Sequence, residues 1–265
     1  MRKGFAVIIL LSVLSLVLVT GCNNGNGKVM LNQTIDKVKS SKSLKFDGVS
    51  NMKVNGQPSD VMKFEGSFRA PNENYVVYDR TYMGEKVHFE YYQKGDIIFK
   101  KLTDKWEKAD ASEVESAKQD LAGGSPIAFL TDIRDNAAKI TYNGVKTLEG
   151  KKYTEIKAVA KEDKLVGKIK DAVQNNYKEL VSHARPEDKD AVAAQKQQMD
   201  EFLKTLKVKM SYTIYIDKTT KALWRIDMNQ TTESVIEKQK LLNEQQLTLY
   251  YKDYNKPVQI PDVTK

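Results

Sequence analysis

Lys207-Val208-Lys209-Met210-Ser211-Tyr212-Thr213-Ile214-Tyr215-Ile216-Asp217 is the stretch on which the fold turns. Val208, Met210, Tyr212, Ile214 and Ile216 take every second position, and Lys209, Ser211, Thr213, Tyr215 and Asp217 fill the gaps. Successive side chains of a strand point to opposite faces, so this period of two predicts a strand with one apolar and one polar face. Asp217-Lys218-Thr219-Thr220 then turns the chain, because short polar side chains bond their own backbone at reversals. In the next strand Trp224, Ile226 and Met228 alternate with Arg225 and Asp227, and Leu247, Leu249 and Tyr251 finish the sheet.

The same period runs through the first half of the chain. Leu44, Phe46 and Met52 alternate with Lys45, Asp47, Asn51 and Lys53. After a turn at Asn55-Gly56-Gln57-Pro58, Met62, Phe64, Gly66 and Phe68 alternate with Lys63, Glu65, Ser67 and Arg69. Residues 74–82, 86–93 and 96–102 continue as strands between turns at Met83-Gly84-Glu85 and Lys94-Gly95-Asp96. Strands joined by such short turns form an antiparallel meander, here with an apolar, aromatic face and a charged one. Two further strands are predicted at 138–146 and 152–160, and the tail 254–261 is extended by its prolines.

Helices interrupt this pattern. Leu31, Ile35 and Val38 share a face and predict a helix over 28–41. Residues 111–121 carry a weak helical pattern. Gly123-Gly124-Ser125-Pro126 is a helix start, with Ser125 as N-cap and Pro126 at the first helical position, followed by Ile127, Leu130 and Ile133. Residues 161–206 read as a helical hairpin: Leu165, Ile169, Val173 and Leu180 mark one helix. The chain breaks near His183-Ala184-Arg185-Pro186, and Val192, Gln195, Met199, Phe202 and Leu206 mark the second. Together these elements predict an α+β domain: a large antiparallel sheet of about ten strands, curved and covered by helices on its apolar face, with the hairpin as an insertion.

A cover that packs flush gives a solid core; a sheet that stands away from it leaves an apolar cavity. Phe46, Phe64, Phe68, Phe89, Phe99, Tyr212, Trp224 and Met228, relieved by Gly48 and Gly66, are the candidate lining and serve either arrangement.

The N-terminus is an address. Arg2 and Lys3 precede an apolar run over 5–19, broken only by Ser12 and Ser15 and short for a bilayer span, which ends in Val19-Thr20-Gly21-Cys22. Cys22 is the single cysteine of the 265 residues, so the chain has no internal disulfide and no cysteine-based zinc cluster. Asn23-Asn24-Gly25-Asn26-Gly27 reads as a flexible tether, which makes 22–27 an anchor segment and 28–265 a single domain. The formal charge of +8 falls to +6 once Arg2 and Lys3 leave with the leader. Its lysines are scattered over strand faces without the interleaved aromatics of a nucleic-acid groove; they suit a surface near anionic lipid.

No catalytic constellation can be assembled. The chain lacks a Gly-x-Ser-x-Gly elbow, His-Glu-x-x-His, a phosphate loop and a Gly-x-Gly-x-x-Gly fingerprint. His88 falls on the charged side of its strand and His183 in an interhelical turn. Glu187, Asp188 and Asp190 suit a helix start, not a metal site. The expectation is a non-enzyme without cofactor or metal.

Val19-Thr20-Gly21-Cys22 resembles a bacterial lipobox. That likeness implies cleavage between Gly21 and Cys22, a diacylglycerol-modified Cys22 with further acylation of the palmitate type, and a protein anchored to the outer face of the cytoplasmic membrane. With the strand pair 207–217 and 222–230 and the closing Tyr251-Lys252-Asp253-Tyr254-Asn255-Lys256-Pro257-Val258-Gln259-Ile260-Pro261, the whole pattern resembles the LolA-like superfamily, including LppX- and LprG-type lipoproteins and relatives from Gram-positive bacteria. The resemblance implies an unclosed half-barrel that holds acyl chains in an apolar cavity for envelope lipid or lipoprotein transport. The alternative is a sensory or interaction lipoprotein with a solid core, whose 161–206 hairpin docks an envelope protein.

Overall fold

The computed structural model describes residues 23–82, 84–102, 104–110, 125–183 and 189–263. The leader with Gly21 and Cys22, the weak helical pattern at 111–121 and the break at 184–188 lie outside the described residues. In chain order the elements are α1 (Asn23–Lys39), β1 (Ser43–Val54), β2 (Gln57–Arg69), β3 (Glu73–Tyr82), β4 (Glu85–Lys94), β5 (Ile97–Lys101) and β6 (Glu107–Lys108). There follow α2 (Pro126–Asn136), β7 (Ala137–Leu148), β8 (Lys151–Ala160), α3 (Glu162–His183), α4 (Lys189–Thr205), β9 (Lys207–Asp217), β10 (Leu223–Ile236) and β11 (Gln239–Lys252).

All eleven strands form one sheet in the order β6-β5-β4-β3-β2-β1-β11-β10-β9-β8-β7. Two meanders are fused where the first long strand lies antiparallel to the last, with Phe46 opposite Tyr251 and Gly48 opposite Leu249. The edge strands β6 and β7 do not meet, so the sheet is an unclosed half-barrel. β8 and β9 are neighbours, with Ile156 opposite Ile214, so α3 and α4 are inserted into what would otherwise be a β-hairpin connection. The hairpin is fastened at its base by Leu165, Leu203, Leu206 and Val208, with Ile169, Met199 and Phe202 packed against them.

The inner face is covered by α1 and α2. Leu31, Ile35 and Val38 of α1 and Leu130 and Ile133 of α2 are buried against Leu44, Phe46, Ile156, Ile214 and Ile226 of the sheet. Each such aliphatic side chain contributes roughly 1.5–3 kcal/mol by leaving water. Ser125 caps α2 as the sequence predicts: its backbone is extended and its Oγ accepts from the Ala128 N–H at 3.4 Å.

Helix α1 begins at Asn23, five residues before the predicted start, so Asn23–Gly27 is helical and not a tether. Packing overrides the low helix propensity here. Gly27 is buried, and a Cβ on it would stand 2.8 Å from the Thr141 carbonyl carbon and the Tyr142 nitrogen of β7. Gly27→Val is therefore expected to force α1 off β7 and lower stability by about 1–3 kcal/mol, read as a shift in the urea midpoint.

The Asn55-Gly56 reversal is tighter than predicted. Asn55 and Gly56 take φ of 50° and 80°, the two-residue geometry that matches strand twist. Gln57 already pairs with Val54, and Pro58 lies in β2 beside a register shift, where a missing N–H is tolerated.

Candidate functional site

A cavity of about 650 Å³ opens where the helical cover meets one end of the inner face. Its walls are Lys39 at the end of α1, the first turns of α2 (Ser125, Ile127, Ala128, Thr131), the β2–β3 turn (Pro71, Asn72) and the β4–β5 turn (Gly95, Asp96). Phe68, Asn74 and Gln93 form the sheet side. The two turns are tied together by the Gly95 N–H donating to the Asn72 carbonyl at 3.0 Å. Gln93 Nε2 donates to the Gly95 carbonyl at 2.9 Å, and Asn74 Nδ2 donates to Gln93 Oε1 at 3.2 Å. Apolar surface from Phe68, Ile127 and Ala128 therefore faces a polar rim and an amide wall.

The predicted lining residues divide into three groups. Phe68 borders the cavity but is itself buried in the core, 4% exposed. Phe46 and Phe64 are core: Phe46 pairs with Gly66 and Phe64 with Gly48 across β1 and β2. Each ring covers its glycine, and a Cβ at Gly66 would meet Phe46 Cζ at 2.4 Å, one at Gly48 Phe64 Cζ at 2.6 Å. The glycines are slots for rings, not relief around a void. Phe89 stacks on Tyr78 at 4.9 Å. Tyr212 meets Phe129 of α2 edge-on at 5.9 Å, and its partner across the strands is Met228. Burial raises the Tyr212 phenol well above its ordinary pKa, so it is a neutral donor, 2.6 Å from Met210 Sδ.

Phe99 and Trp224 point to the other side of the sheet. Phe99 stacks on Tyr92 there. Trp224 is displaced by a bulge between Leu223 and Arg225, which puts Trp224 and Arg225 on the same outer face; simple alternation had placed Trp224 with Ile226. Its ring stacks on Tyr153 at 4.0 Å and meets Tyr215 and Tyr250, and the Arg225 guanidinium lies over both of those tyrosines while Nε donates to Asp227. The outer face is thus aromatic as well as charged, against the alternation-based expectation.

A second outer cluster joins Tyr75, Trp106, Glu90 and Lys101. Burial pushes the Glu90 carboxyl up, but hydrogen bonds from the Tyr75 hydroxyl and the Lys101 ammonium outweigh it and hold the pKa below the ordinary glutamate value. A depressed carboxylate stabilises the fold above its unfolded pKa and loses that contribution as pH falls through the folded one. Glu90→Gln is expected to cost about 1–2 kcal/mol at pH 7 and to converge on the parent as pH drops towards 3, measured by urea unfolding across that range. His88 is exposed and contacts Asp79 Oδ1 at 2.8 Å.

Among the described residues no cluster of three or more His, Cys, Asp or Glu stands ready for a metal ion, and no helix is long and apolar enough to cross a membrane. The cavity side chains the sequence reading missed, Lys39, Asn74, Gln93, Ala128 and Thr131, come from separate strands, turns and helix ends. Only the Ser125-Pro126 cap signalled that end of the site.

The fold defines a class: an unclosed antiparallel half-barrel with helices laid on its inner face. No family model matches the chain, and no curated protein does. Among solved structures, it is similar to the lipoprotein LppX of Mycobacterium tuberculosis, at 14% identity over 90% of this chain and 100% of that one, with a TM-score of 0.47. It is also similar to LprF from Mycobacterium bovis (11%, 92% and 99%, TM-score 0.49) and to a LolA superfamily protein from Nitrosomonas europaea (7%, 89% and 94%, TM-score 0.30). The LppX type and the LolA superfamily are those the sequence resembles.

Proposed function

We propose that the chain is a membrane-anchored lipoprotein of the bacterial envelope that takes an acyl chain of a lipid or acylated molecule into the cavity beneath its unclosed sheet. The observation that carries this reading is the cavity itself: about 650 Å³, open to solvent on the helix-covered side, where Ile127, Ala128 and the buried Phe68 supply the apolar part of a lining that is otherwise polar. That volume falls within the range of small-molecule sites. Binding is desolvation, roughly 25 cal/mol for each Å² of acyl surface that leaves water, and exchange with the membrane makes and breaks no covalent bond.

Anchoring rests on Cys22, acylated after cleavage behind Gly21. With α1 starting at Asn23, an acylated Cys22 abuts the helix and holds the domain close to the bilayer. Two or three acyl chains make such attachment stable, at about 0.8 kcal/mol per buried methylene. Cys22→Ser is expected to abolish incorporation of radiolabelled palmitate and to move the protein out of the membrane fraction; retained label and membrane partition would contradict the anchor. Uptake itself is checked by native mass spectrometry after gentle extraction, with an added mass matching an acylated molecule as the expected result. A ligand-free protein that also ignores fluorescent fatty acids would leave the solid-core interaction lipoprotein as the better reading.

A further inference from the structure

The outer face holds a groove that acyl binding does not use. Two adjoining hollows, of about 530 and 400 Å³, lie on the side of the sheet away from α1 and α2, and Glu65 and Val77 belong to both. Their floor is β1 and β2, each hydrogen-bonded to a neighbouring strand on both sides. The ladder leaves no backbone N–H or C=O there to pair with an added peptide strand, so an occupant is read by side chains.

Two tyrosines wall the groove. Tyr250 stands on β11 and Tyr75 on β3, three strand spacings apart, about 14 Å. Each is backed on its far side. Trp224 meets the Tyr250 ring at 5.7 Å and the Arg225 guanidinium lies 5.3 Å from its centre, while Trp106 meets the Tyr75 ring at 6.3 Å. On the groove side their cross-strand neighbours are short, Asp47 beside Tyr250 and Ser67 beside Tyr75. Two half-exposed rings are thus braced from behind and open towards each other.

Between the walls the charge is balanced. Four carboxylates and three ammonium groups line the two hollows. Lys252 holds Asp47 at 2.5 Å, but Glu65 and Lys63 are exposed and enter no ion pair among the described residues. Glu65 also stands directly opposite Asp47, with Val77 on its other flank. Like charges face to face weaken a strand pair, so this carboxylate is poorly placed for stability and well placed to accept hydroxyls.

We infer that the groove binds an uncharged oligosaccharide, its sugar rings laid against Tyr250 and Tyr75 and its hydroxyls bonded to Glu65 and Lys63. Sugar C–H groups carry partial positive charge and suit the negative face of a tyrosine ring. Hydroxyls donate to a carboxylate and accept from an ammonium, so a mixed lining serves a polyol, whereas a polyanion or a polycation meets repulsion from half of it. The site is separate from the acyl cavity and does not depend on it.

Trp106 and Trp224 are the two tryptophans of the chain and each backs one wall, so intrinsic fluorescence reports occupancy directly. The full chain in zwitterionic micelles is titrated with chitotetraose and cellotetraose, both uncharged, and with a glucosamine tetramer and tetragalacturonate as cationic and anionic sugars of equal length. An uncharged sugar is expected to perturb the emission saturably and to bind several-fold tighter than either charged one, with an affinity that salt leaves unchanged. Tyr250→Leu should weaken that binding roughly five- to tenfold and Glu65→Gln roughly three- to tenfold. Glu65→Gln should also raise the urea midpoint or leave it unchanged, because it removes the repulsion with Asp47; a purely structural Glu65 would give a fall. Should Tyr250→Leu fail to fold, Glu65→Gln still decides. No saturable response to either uncharged sugar overturns the inference, as does steeply salt-dependent binding led by tetragalacturonate. Displacement of the bound sugar by a fatty acid would overturn the separateness of the site.

Discussion

Gly66→Ala is expected to destabilise the domain by about 3–4 kcal/mol, a large effect for a single methyl group. The added Cβ would stand 2.3 Å from the Tyr75 carbonyl oxygen and 2.4 Å from Phe46 Cζ. The ring could swing aside, but the carbonyl belongs to the backbone of β3, which pairs with β2 along its whole length, Arg69 opposite Glu73 through Asp60 opposite Tyr82. Relief thus requires strand movement. Alanine also narrows the unfolded ensemble, which offsets only about 0.4–1 kcal/mol. Gly56→Ala is the comparison: its φ of 80° makes alanine strained, yet nothing lies within 4 Å, so a cost of about 1 kcal/mol is expected. Combining Gly66→Ala with Phe46→Ala removes the ring contact and keeps the carbonyl contact. The pair should therefore couple without recovering parental stability, as read from a double-mutant cycle of urea midpoints.

The glycine slots show where sequence reasoning succeeds and where it stops. Period-two alternation in β1, β2 and β9 is a local property, because one buried face imposes it on each strand separately; those strands, the Ser125 cap and the hairpin insertion were legible for that reason. Whether an aromatic fills a core or lines a void depends on what stands opposite. Phe46 and Phe64 alternate as Phe68 does, but only the register shows that they face Gly66 and Gly48. Trp224 is lost to alternation by one extra residue at the bulge. The start of α1 failed on propensity, since the contact between Gly27 and the backbone of β7 spans more than a hundred residues of chain. The cavity was illegible for the same reason: Lys39, Asn74, Gln93 and Ala128 have no motif in common and are brought together by two turns and two helix ends.

Ala128→Trp is expected to reduce acyl uptake at least tenfold, about 1.4 kcal/mol or more, while leaving the melting temperature within a few degrees of the parent. Ala128 lies in the first turn of α2 with its side chain exposed on the cavity wall, and the helix needs only its backbone N–H, which Ser125 already holds. An indole there extends from an exposed position into the cavity, and its helix propensity costs less than about 0.7 kcal/mol relative to alanine. Bulk at this point occupies the space between α2 and Phe68 that an acyl chain must enter. Phe99→Ala supplies the opposite control. Phe99 is half-buried on the outer face against Tyr92, so its loss should lower stability by removing a stacked pair yet leave uptake of a fluorescent fatty acid unchanged. The two variants separate the faces of the sheet: uptake that survives Ala128→Trp and falls with Phe99→Ala would move the ligand to the outer aromatic clusters and away from the helix-covered side.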